Sequence, residues 1–224
     1  MPLKTTPSPN PVPRLYLATP VLGEPHAFAP SLATALETAD IAAVLVRLAP
    51  ADDRTLINRV KALAQPIQAR GTAVLLDGYA GLVARAGADG AHATGTDAVN
   101  EALSALKPDR MVGAGGLHSR HDSMIAGEAG ADYLLFGEPD RYGGRPALEA
   151  IVEQLSWWAE VFEPPCVGYA ATLAEVGALA ATGAEFVMLD DAVWTDPRGP
   201  KQALQDAIGL MTQAVAAVRD GSTT

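Results

Sequence analysis

The sequence predicts a single-domain (β/α)8 TIM barrel, and three observations predict it. Eight short apolar runs alternate with longer, alanine-rich helical runs along the 224 residues. Most of these runs are apolar without alternation, as strands covered on both faces of a parallel sheet are. The first βα turn carries no G-x-G-x-x-G fingerprint, which weighs against a doubly wound open sheet, the competing architecture.

Taken in order, residues 1–13 are proline-rich and lack an apolar core, so they are expected to form a flexible arm and not a signal peptide. The barrel is expected over 14–219, with a tail at 220–224. The strand candidates are "LYLA" (Leu15–Ala18), "AAVLVRL" (Ala42–Leu48), "AVLL" (Ala73–Leu76) and "GAHA" (Gly90–Ala93). They continue as "RMVGA" (Arg110–Ala114), "YLLFG" (Tyr133–Gly137), "CVGYA" (Cys166–Ala170) and "EFVML" (Glu185–Leu189). Between them the helical runs show a 3.6-residue period. In "TLAEVGALAATG", Thr172 stands as N-cap with Glu175 three places on, a capping-box spacing, and "SRHDSMIAGEAG" repeats it with Ser119 and Asp122. The phrases "RAGADG", "EAGADY" and "ATGAEF" recur, each with a glycine placed to close a helix and an acid two residues later. "QLSWWAEVFEPP" holds adjacent tryptophans. Either the outward one marks an interface, or the second packs under the "EPP" turn.

Composition narrows the function. A net charge of −10 and a pI near 4.7 disfavour nucleic acid and anionic membrane surfaces, which need clustered Lys and Arg. The lone cysteine, Cys166, excludes an internal disulfide and Cys-rich metal sites and fits a reducing compartment. No apolar run approaches the ~18 residues of a spanning helix. A soluble cytoplasmic protein acting on a small molecule is expected.

In a barrel the site lies at the C-terminal strand ends. That rule selects Arg47, Asp77, His92, Asp97, His118, Glu138, Ala170, Ala171, Asp190 and Asp191. Each also has a structural reading. Arg47 pairs with a neighbouring acid, Asp77 or Asp97 caps a turn or helix, His92 packs in the core, and His118 caps a helix. Asp190 and Asp191 are the hardest to explain structurally, because adjacent buried carboxylates repel and an unpaired one costs several kcal/mol.

The phrases "RLYLATP", "LLDGYAGLVARAGADGAHATGTD" and "GLHSRHDSMIAGEAGADYLLFG" resemble the thiamine phosphate synthase and thiazole tautomerase superfamily, over residues 14 to 217 in the same βα order. The resemblance implies a barrel that binds a thiazole phosphate near strands seven and eight. In the synthases it also implies a pyrimidine pyrophosphate with Mg²⁺, joined to the thiazole with release of pyrophosphate. It implies Mg²⁺ ligands at Asp77 and Asp97, the strand-two arginine at Arg47, a catalytic histidine at His118 and a homodimer. No organic cofactor is expected. Departures accompany these matches. Ala49, Leu76 and Gly116 replace a lysine, an asparagine and a serine, and "GEPDRYGGRP" replaces the Thr- and Lys-bearing pyrophosphate segment. Ala170-Ala171 replaces a Gly-Gly phosphate turn, and Asp190-Asp191 a Val-Ser phosphate contact. At ~4 Å two unit charges repel by about 1 kcal/mol in water and about 4 at an effective dielectric of 20, so carboxylates there oppose a phosphate. Four readings stay open: a tautomerase-like enzyme using His118, an active Mg²⁺-dependent synthase, a non-catalytic barrel for thiamine or another cation, and metal-dependent hydrolysis.

Overall fold

All eight apolar runs form strands, and these close into a parallel barrel in sequence order, β1 to β8. The computed structural model describes residues 11–221. Most of the expected N-terminal arm and the end of the expected tail therefore lie outside the described residues. The order is β1 (Arg14–Ala18), α1 (Pro25–Thr38), β2 (Ile41–Val46), α2 (Asp53–Gln68), β3 (Ala73–Asp77), α3 (Val83–Ala86), β4 (Gly90–Thr94) and α4 (Thr96–Leu106). It continues with β5 (Met111–Gly115), α5 (Arg120–Glu128), β6 (Tyr133–Phe136), α6 (Leu148–Val161), β7 (Cys166–Ala170), α7 (Val176–Ala180), β8 (Phe186–Leu189), a short extra helix α8 (Asp191–Trp194) and α9 (Pro200–Gly221). Short 3-10 turns precede α3 and α7. Among the described residues no helix is long and apolar enough to cross a membrane.

The strands bury both faces, and the period of two sorts their side chains into separate cores. Tyr16, Leu45, Leu75, Tyr133, Tyr169 and Met188 pack inside the barrel. Leu15, Leu17, Val44, Val74, Leu134 and Val187 pack outward against the helices. The helices supply the other half of that outer layer. In α2 the buried positions Leu56, Val60, Leu63 and Ile67 recur every three or four residues. Its N-cap Asp52 accepts the Thr55 N–H at 3.0 Å.

The repeated Gly-Ala-acid joints explain how the barrel floor is fixed. Gly87, Gly130 and Gly183 all have positive φ, between 75° and 101°, which glycine adopts at no steric cost. Each acid two residues later reaches a backbone N–H at the start of the preceding strand. Asp89 accepts from Val74, Asp132 from Val112 and Glu185 from Cys166. So the three acids stitch the bottoms of β3, β5 and β7, on the face opposite the mouth. Asp132 also holds Lys107 at 2.6 Å. Asp132→Ala leaves the Val112 N–H without its partner and should cost roughly 1–3 kcal/mol. A urea midpoint measured beside the wild type checks this; a shift below about 0.5 kcal/mol contradicts the stitch.

Ser119 caps α5 as its spacing predicts, accepting the Asp122 N–H at 3.0 Å. Thr172 makes no side-chain cap, and Glu175 instead turns back to the Ala171 N–H. The tryptophan pair resolves toward packing. Trp158 is fully buried, stacks on Phe162 and donates its indole N–H to Pro164 at 2.8 Å, inside the "EPP" turn. Trp157 is partly buried edge-on to Phe162, with the Arg120 guanidinium over its ring at 4.7 Å.

Candidate active site

Period-two alternation continued past the strand ends aims Arg47, Asp77 and Asp190 into the mouth. Arg47 Nη1 donates to Asp190 Oδ2 at 3.0 Å, and its Nε lies 3.9 Å from Asp77 Oδ2. The Tyr169 hydroxyl donates to the same Asp190 oxygen at 2.8 Å. One arginine just past β2 thus sits between the carboxylate that ends β3 and the one just past β8. Asp190 is 6% exposed and needs that cation. Burial pushes the Asp77 carboxyl up from the usual range, and Arg47 pulls it back. Burial and the Asp190 charge push the Tyr169 hydroxyl up, so it stays a donor.

The expected Asp190-Asp191 pair does not form. Adjacent residues leaving an extended strand point to opposite sides, so Asp190 turns inward and Asp191 stands exposed in the first turn of α8. A carboxylate there complements the positive end of a helix. Ala170 is fully buried in the layer between strands and helices, so its methyl group does not reach the mouth. Ala171 takes the inward position.

A hydrogen-bonded chain runs across the barrel beneath the mouth. The Tyr16 and Tyr133 hydroxyls lie 2.7 Å apart, and the Tyr133 hydroxyl lies 3.0 Å from His92 Nδ1. His92 is buried and its ring stacks on that of Tyr133. Burial, aided by the Arg47 charge, pushes the imidazole down to about 4, so it is neutral at pH 7. Burial pushes both tyrosines up. The tyrosines are the residues sequence reasoning missed: each sits in an apolar strand, and their inward parity was the available signal.

Glu138, just past β6, is the other buried acid of the mouth. Its Oε1 accepts the Gly116 N–H. Burial pushes its carboxyl up, while the Gly116 N–H and the nearby His118 pull it down. Gly115 has no room for a Cβ, which would run into Glu138 Oε1 and His92 Nε2. So the two titratable groups converge on one point at the β5 end. Above it opens a cleft of about 640 Å³, lined by Thr94, Gly116, His118, Glu138, Arg141 and Tyr142 among others. His118 is exposed at the rim and is not the α5 cap, a role Ser119 fills. Asp97 is exposed in the first turn of α4, whose N-cap is Gly95.

Among the described residues no three His, Cys, Asp or Glu side chains converge as a metal cage. Mg²⁺ does not require one, since it keeps waters and takes one or two carboxylates plus substrate phosphates. Asp77 fits that mode: its carboxylate is 39% exposed, and its contact with Arg47 is longer than a hydrogen bond.

The family follows from comparison. A family model described as thiamine monophosphate synthase matches residues 15–193, from the second residue of β1 to beyond β8. The chain belongs to this family. A thiamine-phosphate synthase of Rhodospirillum centenum is 40% identical over 196 residues, 86% of this chain and 95% of that protein. One of Hyphomonas neptunium is 35% identical over 211 residues, 89% and 94% of the two chains. Among solved structures, thiamine phosphate pyrophosphorylase from Pyrococcus furiosus superposes with a TM-score of 0.73 at 20% identity, covering 91% of this chain and 97% of its own. The 3-hexulose-6-phosphate synthase of Salmonella typhimurium gives 0.67 at 17% identity, covering 90% and 99%. At these identities the two structures speak for the fold alone.

Proposed function

We propose that this chain is a coupling enzyme of thiamine formation, joining a pyrimidine pyrophosphate to a thiazole with release of pyrophosphate. The observation that carries the reading is that Arg47 and Asp77, at the family's cation and metal positions, face each other at the mouth of a chain 40% identical to a thiamine-phosphate synthase. Asp77 and Asp97 would hold Mg²⁺, which when bound neutralises charge on the pyrophosphate. Burial favours the acid form of Asp77, and the Arg47 charge pulls toward the carboxylate. Glu138 and His118 line the cleft where the heteroaromatic ligand is received and can hold or pass a proton there.

A second reading, proton transfer on a thiazole as in the tautomerase relatives, draws support from Glu138, a carboxylic acid raised by burial and set beside His118. One experiment separates the two. The purified protein is incubated with pyrimidine pyrophosphate, thiazole and Mg²⁺, with the thiazole offered as alcohol and as phosphate, and coupled product and pyrophosphate are quantified. The coupling reading expects both in equal amount, abolished by chelator. Deuterium entering a thiazole carboxylate phosphate without coupling favours the second reading. Calorimetric binding of either ligand with no turnover at all would leave a binding barrel.

A further inference from the structure

Barrels of this class commonly hold phosphate with the loops after β7 and β8 and the N-terminus of a short extra helix, where backbone N–H groups and the helix end attract an anion. This chain has the same strand ends, and at the β7 end one of its own acids takes the backbone N–H. At the β7 end, Glu175 Oε2 accepts the Ala171 N–H at 2.9 Å. Arg145 Nη1 donates to both Glu175 oxygens, each at 2.9 Å. Arg145 is fixed in turn by the Gly137 carbonyl at 3.0 Å and the Tyr169 carbonyl at 3.2 Å. A carboxylate that takes a strand-end N–H and a guanidinium nitrogen uses the donors that would otherwise grip a phosphate. The pair is largely buried, at 18% and 20% side-chain exposure. At the β8 end, Asp190 takes the Arg47 cation, and Asp191 opens the short helix.

We infer that Glu175 is a built-in occupant of the anion seat, and that this end of the mouth accepts an uncharged heteroaromatic group in preference to its phosphate ester. Glu175 is then a specificity-determining residue. The identity of the acceptor as a thiazole rests on the coupling reading; the occupancy of the seat does not. An acceptor lacking phosphate changes no bond in the coupling. The pyrimidine–pyrophosphate bond breaks, the pyrimidine–thiazole bond forms, and the product is unphosphorylated thiamine.

The test uses the full chain and three probes: the thiazole alcohol, its phosphate and inorganic phosphate. Calorimetry on the wild type should find the alcohol bound at least as tightly as the phosphate, and inorganic phosphate bound weakly. Glu175→Ala releases the Ala171 N–H and Arg145 and should raise affinity for inorganic phosphate by about tenfold or more. Far-UV circular dichroism checks its fold; should it not fold, Glu175→Gln replaces it and the wild-type comparison still decides. A wild type that binds the phosphate ester tenfold more tightly than the alcohol overturns the inference. So does a folded Glu175→Ala variant with unchanged phosphate affinity. If neither thiazole binds, the coupling reading fails, and the inorganic phosphate series alone rules on the seat.

Discussion

Arg47→Met should cost the fold about 3–5 kcal/mol, because it strands a buried charge. Asp190 is 6% exposed, and Arg47 is its cation at 3.0 Å; Tyr169 alone cannot balance a full negative charge. Asp77 loses its ion-pair partner, 3.9 Å away, in the same step. Asparagine at 190 keeps an acceptor for Tyr169 and removes the charge, so the Arg47→Met/Asp190→Asn double variant should recover most of the loss. Urea midpoints of wild type, single and double variants form the cycle. A single variant within 1 kcal/mol of wild type, or a double variant no better than the single, means the arginine does not neutralise Asp190.

His92 should make the protein acid-sensitive. Unfolded, the imidazole titrates near 6.5; folded, burial holds it at about 4. Between these values the unfolded chain binds the extra proton, so stability rises with pH across the window and is lost as pH falls through it. The effect at about pH 4.5 is on the order of 2–3 kcal/mol. Asp77 and Glu138 act with the opposite sign. Their folded carboxyls are raised, so the stability they contribute is present at low pH and fades as pH rises through their titration. Comparing His92→Gln with wild type cancels those two contributions, since both are common to the pair. The urea midpoint should drop further for wild type than for the variant between pH 7 and about pH 4.5. Equal drops would show that the ring is solvated and free to protonate.

The barrel was legible because its strands are buried on both faces and therefore read as unbroken apolar runs. The ends of those runs shifted by a residue or two; Arg47, for example, stands just past β2 and not within it. The Gly-Ala-acid joints were visible as a repeat, yet their work was not, because the N–H each acid binds lies in the preceding strand and the link exists only once the sheet is closed. The site was half legible. Strand-end positions found Arg47, Asp77, His92 and Glu138. Reading Asp190 and Asp191 as a pair failed because neighbours in a strand diverge, so one became an internal counter-ion and the other a surface group. Arg145 escaped notice and Glu175 was read as a helix cap, since each is ordinary in its own segment. Only the fold brings the β6–α6 loop to the end of β7.

The departures in the sequence and the paired charges in the structure meet in one claim: the β7–β8 end of this mouth is already neutralised by the chain itself. A crystal structure with Mg²⁺ and pyrophosphate tests it most directly. The expected result has Glu175 still bonded to the Ala171 N–H and Arg145, with any anion lying on the Asp77 side of the mouth. A pyrophosphate bonded to the Ala171 N–H, with Glu175 displaced, would contradict it.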